Sequence, residues 1–407
     1  MTKRSLPRWS ELRPLLQMQP VPLDPVERRL ARCHTVADLR EAARRRVPRA
    51  VFDFVDGAAE GEVSLARSRA AFDRVEFAPA ALAGFDEVST STTILGTPSA
   101  LPLVLAPTGF TRLSHHDGEA AVAAAAAEAG IPYALTTMST VSIEDVAAAS
   151  GDGTRWFQLY LMRDRGLTRE LVRRAKDAGY RALVVTVDTP VVGQRVRDLH
   201  NGLTIPPTLT PRTLLDISRR PQWWANLLTT EPLEFATLQA GEPEAHSALI
   251  DRLFDPAVTV DDFAPLREWW DGPIVVKGIQ SVADARRAVE ELGAEALVVS
   301  NHGGRQLDRA PTPLELLPRV AEAVGDRTEV LIDSGVRTGA DLAAVVALGA
   351  RAALVGRPYL YGLMAGGRRG VAKTIAVYEA ELRRTLHLLG VPGVDALDGS
   401  HALLRAA

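Results

Sequence analysis

Residues 296–308 read Ala-Leu-Val-Val-Ser-Asn-His-Gly-Gly-Arg-Gln-Leu-Asp. An apolar, β-branched run leads into an imidazole (His302), two glycines and a guanidinium (Arg305) within four residues. An imidazole accepts protons near neutral pH, and a guanidinium grips a carboxylate or phosphate through two parallel N–H donors. The run itself reads as a strand buried on both faces. A proton acceptor and an anion clamp at the end of such a strand suit a parallel barrel, whose chemistry gathers at the carboxyl ends of its strands. A capped core strand, its His and Arg merely satisfied by neighbours, is the alternative that this stretch alone leaves open.

The elements that would position these groups form a rhythm. Strand-like runs occur at Leu101–Ala106, Tyr133–Thr137, Trp156–Tyr160, Ala182–Val187, Ile274–Val276, Ala296–Val299, Glu329–Ile332 and Ala352–Val355. Most gaps hold helical patterns such as Thr168–Ala178 and Ser281–Leu292. Eight strands alternating with helices predict an α/β fold of the (β/α)8 TIM-barrel class. A doubly wound open sheet would need a Gly-rich turn after its first strand, and Pro107-Thr-Gly109 is too sparse for one.

Each run ends in polar or glycine residues: Pro107-Thr108-Gly109, Thr136-Thr137-Met138, Gln158-Leu159-Tyr160, Thr186-Val187-Asp188, Lys277-Gly278, Ser300-Asn301-His302, Asp333-Ser334-Gly335 and Gly356-Arg357. A structural sheet has no reason to repeat this eight times. Asp333-Ser-Gly-Val-Arg337 and Gly356-Arg357 combine backbone N–H groups with a cation where such barrels hold phosphate. More than 80 residues, rich in proline, separate the fourth run from the fifth. An insertion of that length suits an active-site lid or a contact surface.

Composition narrows the field. A net charge of −3 gives no electrostatic case for nucleic acid. The single cysteine, Cys33, excludes an internal disulfide or a Cys-based zinc site and fits a reducing cytoplasm. No apolar stretch reaches the length of a membrane span, and the basic amino terminus lacks a signal-peptide core.

Ser300-Asn-His-Gly-Gly-Arg-Gln-Leu-Asp308, Thr186-Val-Asp-Thr-Pro190, Phe157-Gln-Leu-Tyr160 and Val276-Lys-Gly278 together resemble the FMN-dependent L-2-hydroxy acid oxidase/dehydrogenase family, over about residues 35–395. Arg220-Pro-Gln-Trp-Trp-Ala and Gly356-Arg-Pro-Tyr-Leu-Tyr-Gly362 look most like its quinone-dependent L-lactate dehydrogenases. The resemblance implies FMN as cofactor and oxidation of a small L-2-hydroxy acid, L-lactate or a relative, to the 2-oxo acid, with electrons passing to a quinone or other carrier. It assigns His302 as general base and Asp188 as the carboxylate that holds its imidazole and stabilises its cation. Arg305 would clamp the substrate carboxylate, Tyr160 would bond a substrate oxygen, and Arg195 would stand by as a second cation. Lys277 would face the flavin where reduction places negative charge. Pro107, Thr108, Gly109, Thr136, Gln158, Thr186 and Ser300 would border the flavin ring, with its phosphate on Asp333, Gly335, Arg337, Gly356 and Arg357. A homotetramer is the family habit. Residues 1–95 then form a helical arm and barrel cover, 96–395 the FMN-binding barrel with a lid at 189–272, and 396–407 a tail.

Two positions bear on the substrate. The family's amino-terminal tyrosine, which reaches the substrate carboxylate, is replaced by Phe54. Losing that bond costs about 1.5–3 kcal/mol unless Arg195 compensates or the substrate is bulkier, such as a mandelate-type acid for an oxidase or monooxygenase. A weakly active flavin-binding paralogue is the remaining alternative. Met138 adds a flexible thioether where the family sets pocket size. A competing class is another phosphate-binding barrel, either a nucleotide-dehydrogenase relative or a flavin-dependent isomerase; the nucleotide dehydrogenases need a barrel cysteine, and Cys33 precedes the barrel. Trp223-Trp224 could anchor the lid peripherally on the inner face of a membrane or simply pack it on the barrel. His115-His116-Asp117 is read as no metal site, since adjacent His side chains should diverge. Gly362–Gly367 reads as close helix packing rather than a dinucleotide turn.

Overall fold

A computed structural model describes residues 6–16, 22–202, 216, 218–238 and 255–406. The insertion's prolines 206, 207, 211 and 243 lie outside the described residues.

The eight apolar runs become strands β1 (Leu103–Leu105), β2 (Tyr133–Thr136), β3 (Arg155–Leu159), β4 (Ala182–Thr186), β5 (Ile274–Ile279), β6 (Ala296–Val299), β7 (Glu329–Ile332) and β8 (Ala352–Val355). All pair in parallel, each beside its neighbour in sequence, and β8 returns to β1 to close the barrel. The strands are apolar throughout because both faces are buried. Val104, Ala134, Trp156, Val184, Val275, Val298, Leu331 and Leu354 cluster inside the barrel. Their alternates, among them Leu105, Leu135, Phe157, Val185, Val276, Val299, Ile332 and Val355, join the larger core shared with the outer helices. Period-2 alternation exists in three dimensions, yet it is invisible in the sequence since both partners are hydrophobic.

Local capping chemistry fixes where the crossover helices start. Ser142, Asp164, Ser281 and Thr338 each accept a backbone N–H from the first turn of the helix that follows. At the amino-terminal end of the barrel, the hairpin of Thr92–Ile94 and Thr97–Ser99 inserts Ile94 into the interior cluster.

The opposite mouth is covered by the amino-terminal arm: α1 (Pro25–Leu30), α2 (Val36–Arg46), α3 (Arg49–Asp56) and α4 (Val63–Ala70). Asp56 locks this cover down. Its buried carboxylate accepts two bonds from Arg40 (2.6 and 2.7 Å), one from the Tyr361 hydroxyl (2.7 Å) and one from Arg197 (3.1 Å). Burial alone would raise its pKa, but these donors outweigh it and hold the carboxyl at about 2. In the insertion, α5 (Pro221–Thr229) lies against the barrel, and after β8 the chain runs into α6 (Arg357–Leu389), which is broken at Gly366 and Gly367. Gly362 and Gly370 of α6 meet so closely that a Cβ on Gly370 would overlap the Gly362 carbonyl. That stretch is helix packing, as read from the sequence. Residues Ala402–Leu404 pair antiparallel with Val75–Phe77, tying the end of the chain to the arm.

Candidate active site

The segment Ser300–Asp308 owes its shape to contacts with the arm. Asn301 accepts the Gly304 N–H (3.1 Å) and donates to Ser68 (3.0 Å), while Asp308 accepts the backbone N–H of Ser64 (2.8 Å) at the start of α4. The motif's last residue is therefore a helix cap. His302, Ser334 and Phe110, none of them glycine, hold positive φ (56°, 72° and 56°), and all three line one cavity. Such strain persists only where surrounding structure over-determines it, typically at functional sites.

That cavity, of about 240 Å³, lies over the carboxyl ends of the strands. It brings together Pro107, Thr108, Gly109, Thr136, Met138, Tyr160, Lys277, His302, Arg305, Asp333, Gly335, Arg337, Gly356 and Arg357 from the barrel, Arg195 from the insertion and Phe54 from α3. Asp188, Gln158, Thr186 and Ser300 stand behind its wall. Gln158 accepts from Thr136 (2.8 Å) and donates to Thr186 (3.0 Å), while Ser300 accepts from Lys277 (3.2 Å). Leu65, Arg69, Thr189, Val192 and Gln306 also line the cavity without a role assigned from the sequence, and Ser334 entered only as a strand-end residue. Ser334, inside Asp333-Ser-Gly335, accepts the Gly303 N–H (2.9 Å).

Asp188 Oδ1 lies 3.0 Å from His302 Nδ1. With Nδ1–H donated to that carboxylate, Nε2 is left as the acceptor. Asp188 fits here because it rests on Gly278, where an added Cβ would fall 2.6 Å from its Cγ. Burial disfavours the Asp188 charge, but His302 and Lys277 outweigh it and its pKa is lowered. Lys277 is paired with Asp333 at 2.9 Å. Burial opposes that ammonium too, yet Asp333 and Asp188 raise its pKa. Burial, followed by the Asp188 charge, pushes the Tyr160 phenol up to about 12, so it remains an O–H donor.

The cations are arranged by the carboxyl end of α3. A helix leaves its last carbonyls without intrahelical partners. Arg305 donates to Phe54 O (2.7 Å) and Gly57 O (3.1 Å), and Arg357 donates to Val55 O (2.9 Å) and Gly57 O (2.6 Å). The Phe54 ring has the guanidiniums of Arg195 and Arg305 at 5.2 and 5.1 Å from its centroid. Arg195 is paired with Asp198 at 2.9 Å. Arg305, Arg337 and Arg357 form no ion pair with a described carboxylate. Burial lowers the pKa of Arg305, with repulsion from Arg195 and Arg357 adding to it; burial likewise lowers that of Arg357. Partly buried cations with no paired carboxylate beside a cavity suit an anionic ligand.

Outside this cavity, the His115 and His116 rings stack with centroids 4.4 Å apart, and their nitrogens lie within 4.8 Å of the Asp117 carboxylate. The expected divergence of the two side chains is thus corrected: the rings stack at a turn in which the Gly118 N–H donates to the His115 carbonyl (2.9 Å). His116 also bonds Asn226 (3.0 Å). The two lid indoles do diverge. Trp223 donates to Leu113 O (2.9 Å), packing α5 on the barrel, whereas Trp224 and Leu228 are 39% and 68% exposed.

The chain belongs to the FMN-dependent dehydrogenase family, whose pattern matches residues 43–404. FMN is the cofactor of that family, and the chain is an FMN-dependent L-2-hydroxy acid dehydrogenase of it. It is 50% identical over 398 residues to a Mycobacterium tuberculosis protein named "Putative L-lactate dehydrogenase", covering 98% of this chain and 96% of that one. An L-lactate dehydrogenase of Caulobacter sp. (strain K31) is 41% identical, with coverage of 90% and 97%. Among solved structures, a monotopic membrane protein, (S)-mandelate dehydrogenase, superposes with a TM-score of 0.88 at 36% identity, over 92% of this chain and all of that one. The cavity suits the cofactor: Arg337 and Arg357, without carboxylate partners, stand beside the glycine backbones of 335 and 356 at one end, with a buried ammonium further in.

Proposed function

We propose that the protein oxidises a short L-2-hydroxy acid of the L-lactate type to the 2-oxo acid and passes the electrons to a membrane quinone. The observation that carries this reading is the pairing, across one cavity, of a carboxylate-held imidazole with a guanidinium that lacks an anionic partner. FMN, when bound, supplies the two-electron acceptor for the substrate.

Arg305 clamps the substrate carboxylate, which relieves its own burial, and Arg195 supplies a second cation across the Phe54 ring. Phe54 offers no hydroxyl, so two guanidiniums do the work of a guanidinium and a phenol. His302 Nε2 takes the substrate proton, and Asp188 stabilises the imidazolium that results. Tyr160 donates its O–H to a substrate oxygen. Lys277, fixed by Asp333, holds a positive charge beside the ring site. Gly335, Arg337, Gly356 and Arg357 would hold the cofactor phosphate, and Thr136, backed by Gln158 and Thr186, would hold the ring edge. Trp224 and Leu228, exposed on the lid, suit a peripheral membrane contact that would bring the enzyme to a quinone.

A bulkier aromatic acid is the second reading. Phe54, Met138 and Val192 give the cavity an apolar side, and the relatives include a 4-hydroxymandelate oxidase of Amycolatopsis orientalis, 41% identical over 365 residues. Anaerobic addition of L-2-hydroxy acids from lactate to mandelate, followed by a quinone analogue or oxygen, separates the two. Bleaching of the flavin absorbance is expected to be fastest with L-lactate, with recovery faster on the quinone analogue than on oxygen. Bleaching by mandelate alone would overturn the lactate assignment, and preferential recovery on oxygen would overturn the quinone.

A further inference from the structure

Guanidiniums without carboxylate partners around a cavity mark the active site, and the arrangement recurs elsewhere. A cavity of about 250 Å³ lies between α1, the end of α2, the lid helix α5 and the break in α6, with Arg29, Arg46, Asp117, Gln222, Gly366 and Gly367 among the residues that line it. The Nε atoms of Arg29 and Arg46 are buried and have no hydrogen-bond partner among the described residues. The bond from Arg46 Nη2 to the Gln222 side chain neutralises nothing. Two of the acids nearby are paired with other arginines, Asp24 with Arg369 and Glu128 with Arg368, while Asp117, which lines the cavity, contacts the two stacked imidazoles. Burial lowers the pKa of both arginines, and Arg29 lowers that of Arg46 further by repulsion. Burial also depresses the neighbouring His115 to about 4, so that imidazole is neutral at physiological pH and adds no competing cation.

We infer that Arg29 and Arg46 form a second anion site, for a phosphate group, which ties the lid helix to the amino-terminal arm. Two guanidiniums lining one cavity match a tetrahedral oxyanion, whose several acceptors can be shared between them. A planar carboxylate has fewer acceptors to share between them. Gln222 couples the site to the lid, one residue from Trp223 and two from the exposed Trp224. Phosphate bound there stabilises the docked lid by removing the repulsion beneath it. The phosphate could be that of a soluble ligand or of an anionic lipid headgroup met by the lid.

The test uses FMN-loaded enzyme, so that the cofactor's own phosphate site is filled. Inorganic phosphate is titrated at constant ionic strength while the unfolding midpoint and flavin content are followed. Binding to vesicles of phosphatidylglycerol and of phosphatidylcholine is measured in parallel. Each assay compares the parent with an Arg29→Gln/Arg46→Gln variant. The parent's midpoint should rise by about 2 °C at tenfold the dissociation constant, with flavin content constant, and the variant's should not respond. In phosphate-free buffer the variant should melt no lower than the parent, since it has lost a repulsion. Selectivity for phosphatidylglycerol that the variant lacks, without a response to free phosphate, would assign the group to a lipid; a response to free phosphate without vesicle selectivity would assign it to a soluble ligand. Identical behaviour of parent and variant toward both probes would overturn the proposal. So would a variant that melts lower without phosphate, because the arginines would then be structural.

Discussion

Arg305 shows how one side chain can serve both fold and chemistry. One nitrogen, Nη1, bonds two carbonyls at the end of α3, and this aims the remaining N–H groups while leaving the positive charge unmatched. A carboxylate arriving in the cavity gains a preorganised partner and pays little for ordering it. Lysine would keep the charge but lose the fork. Arg305→Lys is therefore expected to retain flavin and to weaken L-lactate binding by about ten- to a hundredfold, equivalent to one charge-assisted bond of about 1.5–3 kcal/mol. Substrate titration of the flavin spectrum measures it, and an unchanged dissociation constant would place the substrate carboxylate elsewhere. The residue types were legible because chemistry restricts them: imidazole, guanidinium and glycines at a strand end have few other uses. Leu65 and Val192 were not legible, since an apolar wall residue looks like any core residue.

Among elements, the strands were the easiest to read. All eight emerge within a residue or two of their sequence bounds except β5, which runs on through Lys277 and Gly278 to Ile279. Sequence pattern ended that strand at its first polar residue, whereas the barrel carries Lys277 on as a strand residue pointing into the cavity. The plug hairpin at Thr92–Ser99 left no clear pattern, because its six paired residues carry only one large apolar side chain. Gly278 is the hinge between β5 and the Asp188 carboxylate: it takes φ 109° and leaves no room for a Cβ. Gly278→Ala should thus lower the melting midpoint by several degrees, from a cost of about 1–3 kcal/mol, and slow flavin bleaching more than tenfold by displacing Asp188. Calorimetry and anaerobic mixing check the two effects, and an unchanged variant would remove Gly278 from the account.

At the scale of the whole molecule, the cavity is assembled from distant parts of the chain: α3 of the arm, the strand ends of the barrel and Arg195 of the insertion. No helix among the described residues is long and apolar enough to cross a membrane, so any membrane contact belongs to surface groups such as Trp224 and Leu228. The sequence signalled that an insertion was present but not that its two tryptophans would divide, one inward and one outward, since adjacent helical positions differ only once the helix is docked. The convergence of imidazole, guanidinium and ammonium on one cavity makes His302 the group on which proton removal depends. The direct measurement is anaerobic mixing of L-lactate with FMN-loaded parent and His302→Ala enzymes, recording the flavin absorbance. The variant is expected to keep its flavin and bind L-lactate but to bleach at least a hundredfold more slowly; bleaching at the parent's rate would contradict His302 as the base.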